Sequence, residues 1–264
     1  MKRAIATKKD KKHYGLKIVA ICFWLLLWEL LSKMVGFEIL LPAPIAVFDT
    51  LIKLSGSIEF WQSILFSSLR IVLGFVLALS VGTVLAIGSY QSILIRELIA
   101  PLMKLIKAMP VASFIILAIL WIDIRNLSVL IAFMMVLPMI YANVLQGLKV
   151  TDEKLLQMAE VFHLSLFKKI IAIYIPSVKP FFISAVSVGL GFCWKAGIAA
   201  EVIGQPAGSI GRQLYEAKIN LITKELFAWT IVIVVISVLF ERLVMLLIQP
   251  RRREVVNQII ESKG

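Results

Sequence analysis

The segment that decides the fold is KLLQMAEVFHLSLFKKIIAIYIP, residues 154–176. It lies between two long apolar runs, at 127–147 and 181–200, and it carries charged and polar residues throughout. A helix that crosses the hydrocarbon core of a bilayer, about 30 Å thick, needs about 20 mostly apolar residues. The segment is therefore too polar to cross a membrane, and we predict that it forms a helix–turn–helix on one side of it.

The first helix of this segment is predicted from its cap and its apolar spacing. Thr151 is the expected N-cap, and Asp152 and Glu153 follow in the first turn, where the helix dipole favours negative charge. One apolar face is predicted at i, i+4, i+7 and i+11, formed by Leu155, Ala159, Phe162 and Leu166. A face of this kind requires a partner surface.

The turn is predicted at His163, Leu164 and Ser165. Histidine is among the non-glycine residues enriched in the left-handed region, and Ser165 can cap a second helix that runs to about residue 175. Pro176 and Pro180 are expected to end that helix before the next span begins. These residues leave two interpretations open, an amphipathic loop at the membrane surface or an element that docks into another protein.

The composition places the whole chain in a membrane. Of its 264 residues, 60% are hydrophobic and 17% are charged, and the mean hydropathy is +0.95. The net charge of +12 does not indicate nucleic-acid binding, because the basic residues cluster at the start, at 251–253 and between apolar runs. This distribution is typical of cytoplasmic flanks under the positive-inside rule.

The apolar windows predict an all-α integral membrane protein with about six transmembrane helices. The windows are 16–35, 65–89, 99–121, 127–147, 181–200 and 226–248. The lysine and arginine asymmetry places both termini and the loop 149–179 in the cytoplasm. We divide the chain into a basic cytoplasmic N-terminus at 1–15, a transmembrane domain at 16–250 and a basic cytoplasmic tail at 251–264.

Sequence motifs argue against an enzyme or a metal protein. The chain has no G-x-x-x-x-G-K-[ST], H-E-x-x-H or G-x-S-x-G motif. Cys22 and Cys193 lie inside apolar runs, and neither has the spacing of a metal ligand. We therefore predict no catalytic site, no metal and no cofactor in this chain.

The order of motifs along the chain supplies a family resemblance. From about residue 41 to 252, the chain resembles permease subunits of ATP-binding-cassette importers, in the nitrate, sulfonate and taurine branch. The resemblance is carried in order by LPAPIAVFDTL, SSLRIVLGF, APLMKLIKAMPVASFIILAILWI, DEKLLQMAEVFHLS, IPSVKPFFISAVSVGLGFCWKAGIAAEVIG and LFAWTIVIVVISVLFERL. The segment 154–176 is similar to the EAA loop of these permeases.

The loop keeps the spacing of the EAA pattern but not all of its residue types. Gln157 stands at the glutamate position, Ala159 at the alanine, His163 at the glycine and Pro176 at the proline. The resemblance implies a coupling loop at about 151–176 that docks into an ATPase subunit. The residues it assigns to coupling are Gln157, Ala159, Glu160, His163, Leu164, Ser165 and Pro176.

The resemblance also implies the partners and the cargo. Expected partners are an ATPase subunit that binds the ATP, an extracytoplasmic solute-binding protein and a second copy of the permease. The expected cargo is a small, anionic solute, and the expected location is the bacterial inner membrane. An alternative hypothesis is that the chain is a secondary transporter or channel that works without an ATPase. A third hypothesis is a membrane anchor with no transport role.

Two ionisable residues near the end of the fifth span are assigned to the translocation path. Lys195 lies in the outer half of this span, where an ammonium group needs a carboxylate, deprotonation or a passing anion. Glu201 is six residues further on, about 240° round a straight helix, and is a poor direct partner for Lys195. Glu29 of the first span, or a carboxylate of a second copy, is an alternative partner.

Overall fold

The computed structural model describes the backbone of residues 2–248 and the side chains of residue 16 and residues 19–248. The predicted tail at 251–264 lies outside these residues, as do the side chains of the basic segment 1–15. Every regular element in the described part is helical, which confirms the predicted fold class. The helices are α1 Lys2–Val35, α2 Pro44–Ser55, α3 Ile58–Gln91, α4 Ile93–Ala108, α5 Val111–Ile119, α6 Leu127–Lys149, α7 Glu153–Val161, α8 Leu166–Lys169, α9 Ile175–Gly204, α10 Ile210–Ile219 and α11 Thr223–Ile248.

Four helical stretches of the described residues are long and apolar enough to cross a membrane. They are Ile58–Gln91, Ile124–Lys149, Leu166–Gly204 and Thr223–Ile248. The bent pair α4 and α5 gives a fifth if it counts as one span. Helix α1 covers the first predicted window, 16–35, in which the side chains of residues 17 and 18 are not described.

The window at 99–121 was predicted as one transmembrane helix, but the structure divides it into two helices. Helix α4 ends at Ala108, helix α5 begins at Val111, and the two axes differ by 102°. Pro110 stands at the N-cap of α5 and has no backbone N–H, so it cannot continue the hydrogen-bond ladder of α4. Pro101 lies inside α4 without ending it. The proline that breaks the span is therefore the second of the two.

The described chain forms two compact units. Within the described residues, the first consists of 2–61 and 213–231, and the second of 62–212 and 232–248. In the first unit, side chains donate hydrogen bonds to backbone carbonyl groups of the segment that follows α1. The Trp28 indole N–H donates to the carbonyl of Pro42 at 3.1 Å, and the Thr223 hydroxyl donates to the carbonyl of Ile39 at 2.6 Å. Glu29 forms an ion pair with Lys33, four residues on in α1, at 3.1 Å.

The second unit is built on the antiparallel pair α6 and α9. Glycines allow these two helices to approach closely at three levels, one near each end and one in the middle. A Cβ atom on Gly147 would lie 2.9 Å from Cα of Val178, and one on Gly189 would lie 3.2 Å from Cγ1 of Val136. A Cβ atom on Gly204 would lie 2.6 Å from a methyl group of Leu127. Small residues of this kind permit dense packing between helices in a membrane.

Helix α3 packs on α6 through two of its glycines. A Cβ atom on Gly74 would collide with the carbonyl of Val129, and one on Gly82 would lie 3.0 Å from Cβ of Ile140. Gly88 differs, because its nearest neighbour would be a methyl group of Ile95 at 3.6 Å. The packing surface of α3 is therefore formed by Gly74 and Gly82.

The prediction that Pro176 and Pro180 end a helix is wrong. Helix α8, a π-helical segment at Ile170–Tyr174 and helix α9 follow one another without a break. In the π segment the N–H of Ile175 donates to the carbonyl of Ile170, five residues back. This wider turn changes the register just before Pro176, so the missing proline N–H is tolerated at the second position of α9.

Candidate functional site

The predicted loop at 151–176 begins with a capped helix, but the cap is one residue later than predicted. The Asp152 carboxylate accepts a hydrogen bond from the backbone N–H of Lys154 at 2.9 Å, so Asp152 is the N-cap of α7. Thr151 is buried, and its hydroxyl donates to the carbonyl of Gly147 at 3.4 Å. The threonine therefore closes the end of α6 instead of opening α7.

The turn after α7 has the backbone conformation that the sequence predicts. His163 has φ = 46°, in the left-handed region, which is confirmed as the position where the helix stops. The N–H of Leu164 donates to the carbonyl of Ala159, and the N–H of His163 to that of Glu160, both at 2.9 Å. Ser165 occupies the N-cap of α8, but its hydroxyl makes no capping hydrogen bond.

The exposed apolar surface of the loop differs from the predicted face. Ala159 is fully buried, so it cannot lie on a surface that meets a partner, and this part of the prediction is wrong. We define the loop patch as the large apolar side chains exposed by about 70% or more, namely Val161, Phe162, Leu166 and Phe167. Of the other residues assigned to coupling, Leu164 is half-buried, whereas those on the surface are Gln157, Glu160, His163, Ser165 and Pro176.

The helix that follows the loop is longer than a membrane requires. The stretch Leu166–Gly204 contains 39 residues. At 1.5 Å per residue it is about 58 Å long, against a hydrocarbon core of about 30 Å. The stretch is therefore longer than it needs to be to cross the hydrocarbon core.

Lys195 lies on an exposed face of α9. Its ammonium nitrogen is 6.0 Å from the ring centroid of Phe192, and no carboxylate pairs with it among the described residues. Helical spacing places Ser184, Val188 and Ala199 on the same face, and these side chains are exposed or half-buried. This exposed face of α9 therefore carries small and polar side chains together with the positive charge of Lys195.

Glu201 occupies a different environment from Lys195, although both were assigned to the path. Its side chain is fully buried, and its Oε2 accepts hydrogen bonds from the Ser67 hydroxyl at 2.6 Å and the Gly211 N–H at 3.3 Å. The Ser67 hydroxyl oxygen in turn accepts the N–H of Ile210 at 2.9 Å. We call Glu201, Ser67, Ile210 and Gly211 the outer node. Glu201 therefore belongs to the helix packing and not to an open surface.

The outer node depends on one close contact and one turn. Gly211 lies directly against the Cβ atom of Glu201, so a side chain at this position has no room. Gln205, at the C-cap of α9, has φ = 52°, and Gly208 has φ = 74°. These two residues reverse the chain so that the start of α10 returns to the end of α9.

Comparison with known proteins identifies the family. Residues 71–254 match the family described as "Binding-protein-dependent transport system inner membrane component", which covers more than half of the chain. The chain belongs to this family. It is thus a permease subunit of a binding-protein-dependent ATP-binding-cassette importer, a transport component of the inner membrane, and not a catalytic enzyme.

Individual relatives are similar over nearly the whole chain. The SsuC protein of Bacillus subtilis strain 168, named for aliphatic sulfonates transport, is 26% identical over 92% of this chain and 90% of its own length. The taurine transport system permease protein TauC of Escherichia coli strain K12 is 24% identical over 86% of this chain and 83% of its own. The family implies a partner ATPase that binds the ATP and a partner binding protein.

The outer node is the part of the site that the sequence did not reveal. Ser67 and Glu201 are 134 residues apart, and nothing in the local pattern connects them. The sequence signal nearest to the node is the set of glycines at 204–211, which is typical of a turn-forming loop. Gly211 is in fact required by its contact with Glu201.

The outer node predicts a specific loss of stability. In Ser67→Ala, the Ile210 N–H loses its acceptor and Glu201 Oε2 loses one of its donors. The free energy of unfolding should therefore fall by about 1–3 kcal/mol. Thermal unfolding of the purified subunit measures this change. Ser80→Ala is the matched control, because the Ser80 hydroxyl donates to the Val76 carbonyl of its own helix. Equal stability of the two variants would contradict the role of the node.

Proposed function

We propose that this permease carries a small organic anion with a sulfonate-like group, delivered by its binding protein. The observation that carries the proposal is Lys195, an exposed lysine within a span that has no carboxylate partner in the described part of the chain. A charge at this depth is costly unless it faces a partner or an aqueous path. The names of the relatives SsuC and TauC, which refer to sulfonates and taurine, support the same class of cargo.

The proposed path is lined by the face of α9 that carries Lys195. Ser184 and Ala199 on this face are small, so they leave space beside the helix, and Lys195 supplies the positive charge. An ammonium group binds a sulfonate by charge-assisted hydrogen bonds. Glu201 is not part of this proposal, because its side chain is buried in the outer node.

We further propose that the loop patch docks into the ATPase subunit. The patch lies on a helix–turn–helix outside the membrane-spanning part of α9, and its four large apolar side chains are exposed. Buried aromatic anchors dominate the energy of most protein interfaces. Phe162 and Phe167 are therefore the expected anchors, with the conformation of the turn fixed by His163. Movement of the ATPase would then tilt α9, which continues from the loop.

Two copies of the chain are proposed to form the path, with both termini and the loop 149–179 in the cytoplasm. One chain presents one coupling loop and one Lys195 face. The orientation rests on the excess of lysine and arginine in the segments assigned to the cytoplasm.

Thiol labelling of intact cells tests the orientation. In a variant with alanine at Cys22 and Cys193, an impermeant reagent should label Ser57→Cys and spare Lys154→Cys, since both positions are exposed and the proposed orientation places them on opposite sides of the membrane. Permeabilised cells should label both variants. Labelling of Lys154→Cys alone in intact cells would reverse the proposed topology.

Replacement of an anchor tests the docking surface. Phe162→Arg places a charge in the proposed apolar contact and should weaken ATPase binding about thirtyfold, since an interface anchor contributes about 2 kcal/mol or more. Pull-down of the ATPase and substrate uptake both measure the loss. Phe162→Leu keeps an apolar side chain and should retain most of the binding. Unchanged uptake by Phe162→Arg, at equal abundance in the membrane, would contradict the docking role.

Neutral and conservative replacements of Lys195 test the path. Lys195→Met should reduce taurine or alkanesulfonate uptake about tenfold, with a normal yield of complex and normal basal ATPase activity, because the anion loses its charged contact. Lys195→Arg keeps the charge and should retain uptake. A reduced yield of Lys195→Met would indicate instead that the lysine pairs with a carboxylate. Normal uptake together with normal yield would exclude both roles.

A further inference from the structure

A groove of about 470 Å³ lies in the second unit at the ends of three helices. It is bounded by the end of α3, the end of α6 and the stretch that joins α8 to α9. Its walls are mainly aliphatic and aromatic, and its volume is in the range of about 300–1,000 Å³ that is usual for ligand pockets. Representative lining residues are Ile87, Tyr90, Leu148, Ile170, Tyr174 and Lys179.

The polar groups of the groove have the composition of a membrane interface. The rings of Tyr90 and Tyr174 meet edge to face, with centroids 6.1 Å apart. Tyrosine is enriched at the level of lipid headgroups, where one end of its side chain is apolar and the other is hydrated. Lys179 is exposed at the groove, and no ion pair is formed by it within residues 19–248. An apolar cavity with a free cation is complementary to an anionic amphiphile.

The groove is separate from the proposed translocation path. Lys179 precedes Lys195 by 16 residues in α9, which corresponds to a rotation of about 160° around the helix. The groove therefore opens on nearly the opposite side of α9 from the Lys195 face. Val178 and Phe182 also line the groove. They lie on the same side of α9 as Gly189, which packs against α6.

We propose that this groove binds one anionic phospholipid of the inner leaflet. An acyl chain fills the apolar groove, and the phosphate group contacts the ammonium of Lys179, with the tyrosine hydroxyls at the same level. Basic pockets between transmembrane helices on the cytoplasmic side bind acidic lipid headgroups in this way. The choice of leaflet rests on the orientation given under the proposed function.

The bound lipid would contact the connection between the coupling loop and the fifth span. Ile170 and Tyr174, at the two ends of the π-helical segment, both line the groove. Single-turn π segments inside α-helices occur frequently at functional sites. An acyl chain in the groove would support this segment, through which any motion of α7 must pass to reach α9.

Lipid retention by the permease–ATPase complex tests the proposal. The complex is purified from nanodiscs that contain phosphatidylglycerol and phosphatidylcholine, and the retained lipids are quantified by mass spectrometry. Lys179→Gln should retain about fivefold less phosphatidylglycerol, since one lysine near an anionic headgroup contributes about 1 kcal/mol. Phosphatidylcholine should change little. Lys107→Gln, which replaces an exposed lysine outside the groove, is the matched control and should retain the wild-type amount.

A second variant separates the groove from general charge effects. Ile170→Trp places an indole in the groove and should displace the acyl chain, with a loss of phosphatidylglycerol similar to that of Lys179→Gln. Equal retention by all the variants and the control would overturn the proposal. A photoreactive side chain at Ile87 that crosslinks to the ATPase, a second copy or residues 249–264, and not to lipid, would overturn it as well.

The lipid site and the proposed orientation fail in different ways. If thiol labelling reversed the topology while phosphatidylglycerol retention still depended on Lys179, the groove would bind lipid of the outer leaflet and the inner-leaflet assignment would be wrong. If the topology held and retention did not depend on Lys179, the lipid site itself would be excluded.

Discussion

The close contact between α6 and α9 is the interaction on which the rest of the second unit depends. Lipid tails are as apolar as leucine, so two helices in a membrane gain little from simple burial and associate through dense packing. Gly147, Gly189 and Gly204 provide that packing at three levels of the pair, and Gly74 and Gly82 extend it to α3. A Cβ atom at Gly74, Gly147 or Gly204 would lie less than 3.0 Å from an atom of the neighbouring helix, so the contact could not be kept as it is.

Helix α9 connects every functional feature of the chain because it is continuous from the loop to the outer node. At one end, the π segment joins it to the loop patch, and at the other, Glu201 fixes it to α3 and to the start of α10. Lys195 lies between these ends on the face turned away from α6. Under the proposed function, a tilt imposed at the loop would pass along this continuous helix to the proposed anion contact.

Charged groups in this chain are used in three different ways, according to what surrounds them. Glu201 is buried, and the two hydrogen bonds that its Oε2 accepts connect α9 to α3 and to the start of α10. Lys195 is exposed on a span, where the proposed function has it meet the transported anion. Lys179 lies at the groove beside tyrosines, where a stationary anion would meet it. Residue type alone does not distinguish these roles, since each is an ionisable side chain in or next to an apolar run.

The sequence by itself determined the class of protein, the position of most spans and the turn at His163. The length of an apolar run and the ability of a residue to adopt a left-handed conformation are local properties. They therefore sufficed to predict the spans at 65–89 and 127–147 and the turn at His163. Family membership followed from the order of motifs, and it is confirmed by the match at 71–254. Only the tertiary structure decided the bend at Pro110, the passage of the helix through Pro176 and the burial of Ala159. A proline can break a helix or lie within it, so its presence alone does not decide the outcome, and the burial of Ala159 depends on its packing neighbours. The pairing of Ser67 with Glu201 depends on contacts between residues 134 positions apart, and no local pattern encodes such a contact.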